Sequence, residues 1–357
     1  MVITDYEIVP FSDHPDFLPD CTGMYPRNTI TDGSYMNHAM NKRDHDHTLK
    51  FMRIWCKVPH MKTHTLIICS ILMMLCPVCL NATLIVTPTD EGKVVIRSEY
   101  RSLCQGEVVK ISLQSPVPVS AVLSFDGHEY PFVSDDKRLR HFSLIALGLD
   151  MEPGIYDVVA HLESSHGMIH DIPFKLALSE KSFPTKRITV ARRFTSPVPA
   201  DMRRIQNEED LLRRIYGKSS LRWLGNGRFI MPLEGKTGSL FGEQRIFNEK
   251  VVSRHRGIDI RSPHGASITA SNSGEVVLAR DLYYSGNTVI IDHGIGLFSI
   301  YCHMSKIRVR EGAFVGKGEP IGYTGSTGRS TGPHLHWGLK LAGIYADPLS
   351  ILALEFD

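Results

Sequence analysis

From Phe229 to about Asp347 the chain is a succession of short apolar runs punctuated by glycine, a pattern that fits an antiparallel β domain of about 120 residues and little else. Gly286-Asn-Thr-Val-Ile-Ile-Asp-His-Gly-Ile-Gly296, followed by Leu297-Phe-Ser-Ile-Tyr-Cys-His303, reads as strand, turn and strand. Val309–Val315, Pro320–Tyr323 and His334–Leu339 supply further short strands. Strands alternate side chains between two faces, so residues at i and i+2 point the same way. On that rule His334 and His336 share a face, and so do Ser299, Tyr301 and His303, with Cys302 turned away as a buried thiol.

Thr83 to about Leu178 shows a second β pattern without these histidines. Lys93-Val-Val-Ile-Arg, Glu107-Val-Val-Lys-Ile-Ser-Leu, Ala121-Val-Leu-Ser-Phe and Ile155-Tyr-Asp-Val-Val-Ala-His-Leu alternate between turn signals such as Asp126-Gly127 and Glu152-Pro153-Gly154. This spacing predicts an immunoglobulin-like β-sandwich over 83–180. It carries no chemistry: His128-Glu129 starts an HExxH-like string, but Phe132 stands where the second ligand belongs. His161, His166 and His170 surround a solvated turn. Between the two β regions, 181–228 reads as a linker with one helix. Asp201 caps it, Gly217 stops it, and Met202, Ile205, Leu212 and Ile215 form an apolar stripe that would pack between the domains.

The first eighty residues differ again. Residues 63–89 contain no Asp, Glu, Lys or Arg, and Leu66–Leu80 is a fifteen-residue apolar core, short of the roughly twenty needed to span a bilayer. Lys57 and Lys62 precede it and a small residue, Ala82, follows. That order is a secretory signal peptide over 61–82, with Met61 as the start and a mature form beginning near Thr83. The alternative is a membrane anchor continuing through Leu84-Ile85-Val86, over residues 66–86. Either reading exports the bulk of the chain, to the periplasm or cell envelope. Residues 1–60 are polar and without periodicity, an untranslated or disordered segment in which His45-Asp46-His47 is a solvated stretch rather than a metal site. Cys76-Pro-Val-Cys79 has no second pair and sits in the apolar run, which argues against zinc or redox chemistry there. Forty Lys and Arg against 38 Asp and Glu leave a net charge of +2, which excludes a strongly basic nucleic-acid binder.

Chemistry concentrates in the C-terminal β domain. His255 and Asp259 stand four residues apart, His334 and His336 two apart, and His303 ends a strand. Four imidazoles and a carboxylate can supply three ligands for a catalytic zinc and leave two imidazoles for proton transfer and charge stabilisation. His264 and His293 lie in turn contexts and are expected to hold loops.

His255-x-x-x-Asp259, Tyr301-x-His303 and Thr331-Gly-Pro-His-Leu-His-Trp337, in that order, resemble the lysostaphin and LytM type of zinc metalloendopeptidase, which cuts peptidoglycan cross-links. Gly257-Ile-Asp-Ile-Arg-Ser-Pro263 and Gly322-Tyr-Thr-Gly-Ser-Thr-Gly-Arg329 fit as well, and the resemblance spans about 229–350. It implies an antiparallel metallopeptidase domain in a mainly β chain, with His255, Asp259 and His336 as zinc ligands. His303 and His334 become the pair that polarises the attacking water and steadies the tetrahedral intermediate, and peptidoglycan peptides the substrate. The alternative is a peptidase-like activator that docks a cell-wall amidase as its partner without catalysis. Such a module would be expected to have lost a ligand, and all five positions are filled.

Overall fold

A computed structural model describes residues 81–249 and 251–356. The apolar run Leu66–Leu80, the His45-Asp46-His47 stretch and the Cys76/Cys79 pair lie outside the described residues.

Two antiparallel sheets form the N-terminal part. One sheet runs, in spatial order, Asn81–Thr89, Gly92–Tyr100, Val108–Gln114, Arg140–Ala146 and Val133–Ser134. The other runs His128–Pro131, Val119–Phe125, Gly154–Ser164 and Ile169–Leu178. Alternation does the sorting: along Ile169–Leu178 the buried positions are Ile172, Phe174, Leu176 and Leu178. They meet Val109, Ile111 and Tyr130 in a core shared by both sheets. Asp126 (φ +47°) and Gly127 (φ +73°) close a two-residue hairpin, the left-handed pair that matches strand twist. Leu84, Ile85 and Val86 do not continue an apolar span. They pair with Arg97, Ile96 and Val95 at the edge of the first sheet. No helix among the described residues is long and apolar enough to cross a membrane.

The C-terminal part is built on one large antiparallel sheet. Its main path is Lys236–Ser239, Gly257–Arg261, His334–Leu341, Leu297–Ile307, Gly286–Asp292, Gly274–Leu282 and Phe314–Val315. Of the expected strand 309–315 only Phe314–Val315 pairs, because Arg310–Ala313 forms a turn. One sheet face packs Ile258, Ile260, Val289, Ile291, Tyr301 and Trp337 into a core. The other face carries the row Asp259, His336 and Cys302, directly opposite one another across three strands.

The linker belongs to this C-terminal part. Thr185–Ile188 pairs in parallel with Gln244–Phe247, which pairs with Val251–Arg254 in a small separate sheet. The helix spans Pro199–Tyr216 and begins at Val198, not Asp201, because Pro199 is already set in helical φ at the first helical position. Asp201 instead accepts a hydrogen bond from the Tyr283 hydroxyl at 3.1 Å. Nor does the helix pack between the domains: Leu211, Leu212, Ile215 and Tyr216 cover Leu278, Ile290, Phe298 and Ile300 on the site-bearing face of the large sheet.

The two β parts are joined directly. Val108, Leu144 and Ala146 of the sandwich share a core with Leu297, Leu339, Leu341, Ile351, Leu354 and Phe356. Arg101 bridges Glu107 and Asp347 at 2.5 and 2.7 Å, and the Ser350 hydroxyl accepts from the Val108 amide at 3.1 Å.

Candidate active site

Asp259 and His336 face each other because their strands pair in that register. His255 precedes the first of these strands, its amide held by the Glu243 carbonyl at 2.8 Å. Three side-chain atoms then form a triangle: His255 Nε2, Asp259 Oδ1 and His336 Nδ1, each 3.0 Å from the other two. Outer contacts aim them. His255 Nδ1–H donates to the Leu240 carbonyl at 2.8 Å, leaving Nε2 for the triangle. Arg245 donates to Asp259 Oδ2 at 2.5 Å, leaving Oδ1. Burial would raise the Asp259 pKa, but the close approach of the His255 and His336 imidazoles holds it well below the usual carboxylate range. Burial lowers His336 to about 4, so its imidazole is neutral at pH 7.

This donor set fits zinc. Two imidazoles and a carboxylate in their unprotonated forms are the ligand states that zinc takes. Tetrahedral bonds of about 2.0–2.1 Å put ligand atoms roughly 3.3–3.4 Å apart, close to the 3.0 Å triangle. With the His255 proton committed to Leu240, a cation among these atoms would relieve the crowding of lone pairs. The cradle leaves no room for a side chain at Gly257, where a Cβ would lie 2.5 Å from the Trp337 carbonyl and 2.8 Å from the His336 ring. Gly257→Ala should therefore lower zinc content and activity together, read by metal analysis of the purified variant.

His303 and His334 line the same groove, about 450 Å³ in volume. Their rings are 4.8 Å apart, and His303 is 6.0 Å from His336. Each has its Nδ1–H on a loop carbonyl at 2.8 Å, Thr327 for His303 and Gly332 for His334, which in the neutral imidazole places the lone pair on Nε2. His334 Nε2 lies 3.7 Å from Asp259 Oδ1. Burial, reinforced by His334 and His336, lowers His303 to about 3. Ser299 and Tyr301 share a face as expected, but His303 leaves it. Tyr301 is in the core, hydrogen bonded to Ser271 and Ser299, while Cys302 and His303 both line the groove. His303 has φ +63°, and one left-handed residue resets the alternation of a strand. Cys302 is nonetheless a buried thiol, its pKa pushed up to about 12 by burial.

Neither turn histidine reaches the groove. His264 is exposed. His293 is buried, bonded to the Ser273 carbonyl at 2.8 Å and the Ser299 hydroxyl at 2.7 Å, and burial lowers it to about 4. An unfolded chain takes up this proton near pH 6.5 and the folded one only near 4, so stability should fall as pH drops through that window. The contribution is about 3 kcal/mol. Acid unfolding of His293→Gln, followed by circular dichroism, should show a shallower slope between pH 6.5 and 4.

Sequence reasoning missed Arg245, the Thr327 carbonyl and the linker residues Lys186–Val190, which form one wall of the groove. Arg245 had a signal, an alternating Gln244-Arg-Ile-Phe247 strand just before His255. The linker had none, because its pairing partner is distant in sequence.

Residues 253–348 match the model of peptidase family M23. The peptidoglycan DD-endopeptidase ShyA of Vibrio cholerae is 45% identical over 117 residues, 32% of this chain and 27% of ShyA. The DD-carboxypeptidase/endopeptidase Mpg of Neisseria meningitidis is 41% identical over 97 residues, 27% of this chain and 22% of Mpg. The matched region thus spans about a quarter of the length of these relatives. A solved structure from Pseudomonas aeruginosa, described as an M23 peptidase, aligns with a TM-score of 0.55 at 27% identity, covering 71% of this chain and 96% of that one.

Proposed function

We propose that this protein, whose residues 253–348 match peptidase family M23, is an exported zinc endopeptidase that hydrolyses peptide bonds in peptidoglycan stem peptides or cross-links. The observation that carries this reading is the complete set in one groove: the His255–Asp259–His336 triangle beside the His303–His334 pair. Retention of all five residues favours hydrolysis over docking of another wall enzyme.

When bound by the triangle, zinc supplies a Lewis acid that makes water nucleophilic near neutral pH. The protein's own residues do the rest. His303 and His334 are each fixed by a backbone carbonyl at Nδ1 and can accept a proton at Nε2. Once protonated, that nitrogen donates to the oxyanion or to the departing amine. Arg245 keeps Asp259 oriented and ionised. The helix residues Leu212 and Tyr216 close the groove on its apolar side and exclude water there.

Two further readings accompany this one. For residues 81–178 the reading is an immunoglobulin-like sandwich, supported by the order of strands in the two sheets. Export suits both the substrate and the apolar run Leu66–Leu80. The test is solubilisation of purified cell-wall sacculi. Release of muropeptides should stop with chelator and resume with added zinc; release that ignores chelator would remove the metal from the account.

A further inference from the structure

The interdomain linker places a cation in the groove with no acidic partner. Lys186 pairs in register with Arg245, and its Nζ donates to the Ser239 hydroxyl at 3.1 Å. Ser239 in turn stands opposite Asp259 across the adjoining strands. Among the described residues no carboxylate comes within ion-pair distance of this ammonium. Neighbouring cations on the groove wall are committed elsewhere. Arg245 holds Asp259 and Glu243, Arg187 pairs with Glu249, and Arg329 is stacked between Phe247 and Tyr284. Among the described residues Asp259 is the single acidic one lining the groove, and it is the member of the triangle neutralised by Arg245. An exposed ammonium at the rim of a cationic groove favours an anionic ligand.

We infer that Lys186 is a specificity-determining residue that anchors a free carboxylate of the peptide substrate beside the cleavage site. This rests on the reading of the groove as a peptidase site. The ligand class is a peptide bearing an unamidated carboxylate close to the scissile bond, recognised by one charge-assisted hydrogen bond. The linker is then a wall of the active site as well as a tether between domains.

The test uses two defined cross-linked muropeptides that differ only in a free or an amidated carboxylate. Both binding and cleavage are measured, on zinc-loaded full chain. Wild type should prefer the carboxylate form by about tenfold to a hundredfold in KM and in Kd, the range for one hydrogen bond to a charged group. In Lys186→Gln that preference should vanish with kcat on the carboxylate form little altered, and Lys186→Arg should restore it. Equal cleavage of both peptides by wild type and Lys186→Gln would overturn the anchor and leave hydrolysis standing. Selective binding lost in Lys186→Gln, without cleavage by wild type, would keep the anchor and overturn hydrolysis. Absence of both binding and cleavage in wild type would overturn both. Circular dichroism of Lys186→Gln should match wild type, since this exposed side chain holds only a hydroxyl.

Discussion

His336→Ala should yield a folded protein without zinc and without measurable hydrolysis, and His255→Ala and Asp259→Ala should do the same. Each of these residues contributes one corner of a 3.0 Å triangle, and no other carboxylate or imidazole among the described residues completes it. His303→Ala and His334→Ala should keep zinc and lose about 10²–10⁴ in kcat, the range for a positioned acid–base group. Their ring nitrogens are tied to loop carbonyls, so their removal leaves the triangle intact. Metal analysis alongside kinetics separates the two groups. Zinc retained in His336→Ala and lost in His334→Ala would reverse the assignment along the strand.

Cutting the chain to residues 221–357 should give an insoluble or metal-poor product, although all five site residues lie within it. Such a fragment would lose packing on two surfaces. On one, Leu297, Leu339, Leu341, Ile351, Leu354 and Phe356 lose Val108, Leu144 and Ala146. On the other, Leu278, Ile290, Phe298 and Ile300 lose the helix. Fully burying one such side chain is worth about 1.5–3 kcal/mol, so half-exposing six costs about 5–9 kcal/mol. That is comparable with the whole stability of a typical domain, about 5–15 kcal/mol. Residues 81–357 should instead be soluble and unfold in one calorimetric transition. Two separate transitions would show that the shared core does not couple the parts.

The site was legible because its residues are close in sequence or in a simple register. His334 and His336 share a face by strand alternation alone, and pairing of the two strands brings Asp259 opposite His336. Tyr301-Cys302-His303 misled because alternation assumes extended backbone, and His303 is left-handed. The union of the two β parts left a trace that is plain in hindsight. Val108-Val109 and Leu144-Ile145 are adjacent apolar pairs, all four buried, as expected of strands covered on both faces. What the sequence could not reveal is the linker strand Thr185–Ile188 on Gln244–Phe247, since two short strands about sixty residues apart carry no local sign of pairing.

Digestion of a defined cross-linked muropeptide dimer by the zinc-loaded protein, read by mass spectrometry, decides whether this groove hydrolyses peptide bonds. Hydrolysis should convert the dimer into smaller peptides, adding one water and one new amine terminus for each bond cut. Zinc-free protein, or protein held with chelator, should leave it whole. An unchanged dimer in the presence of well-folded, zinc-loaded wild type would contradict the account.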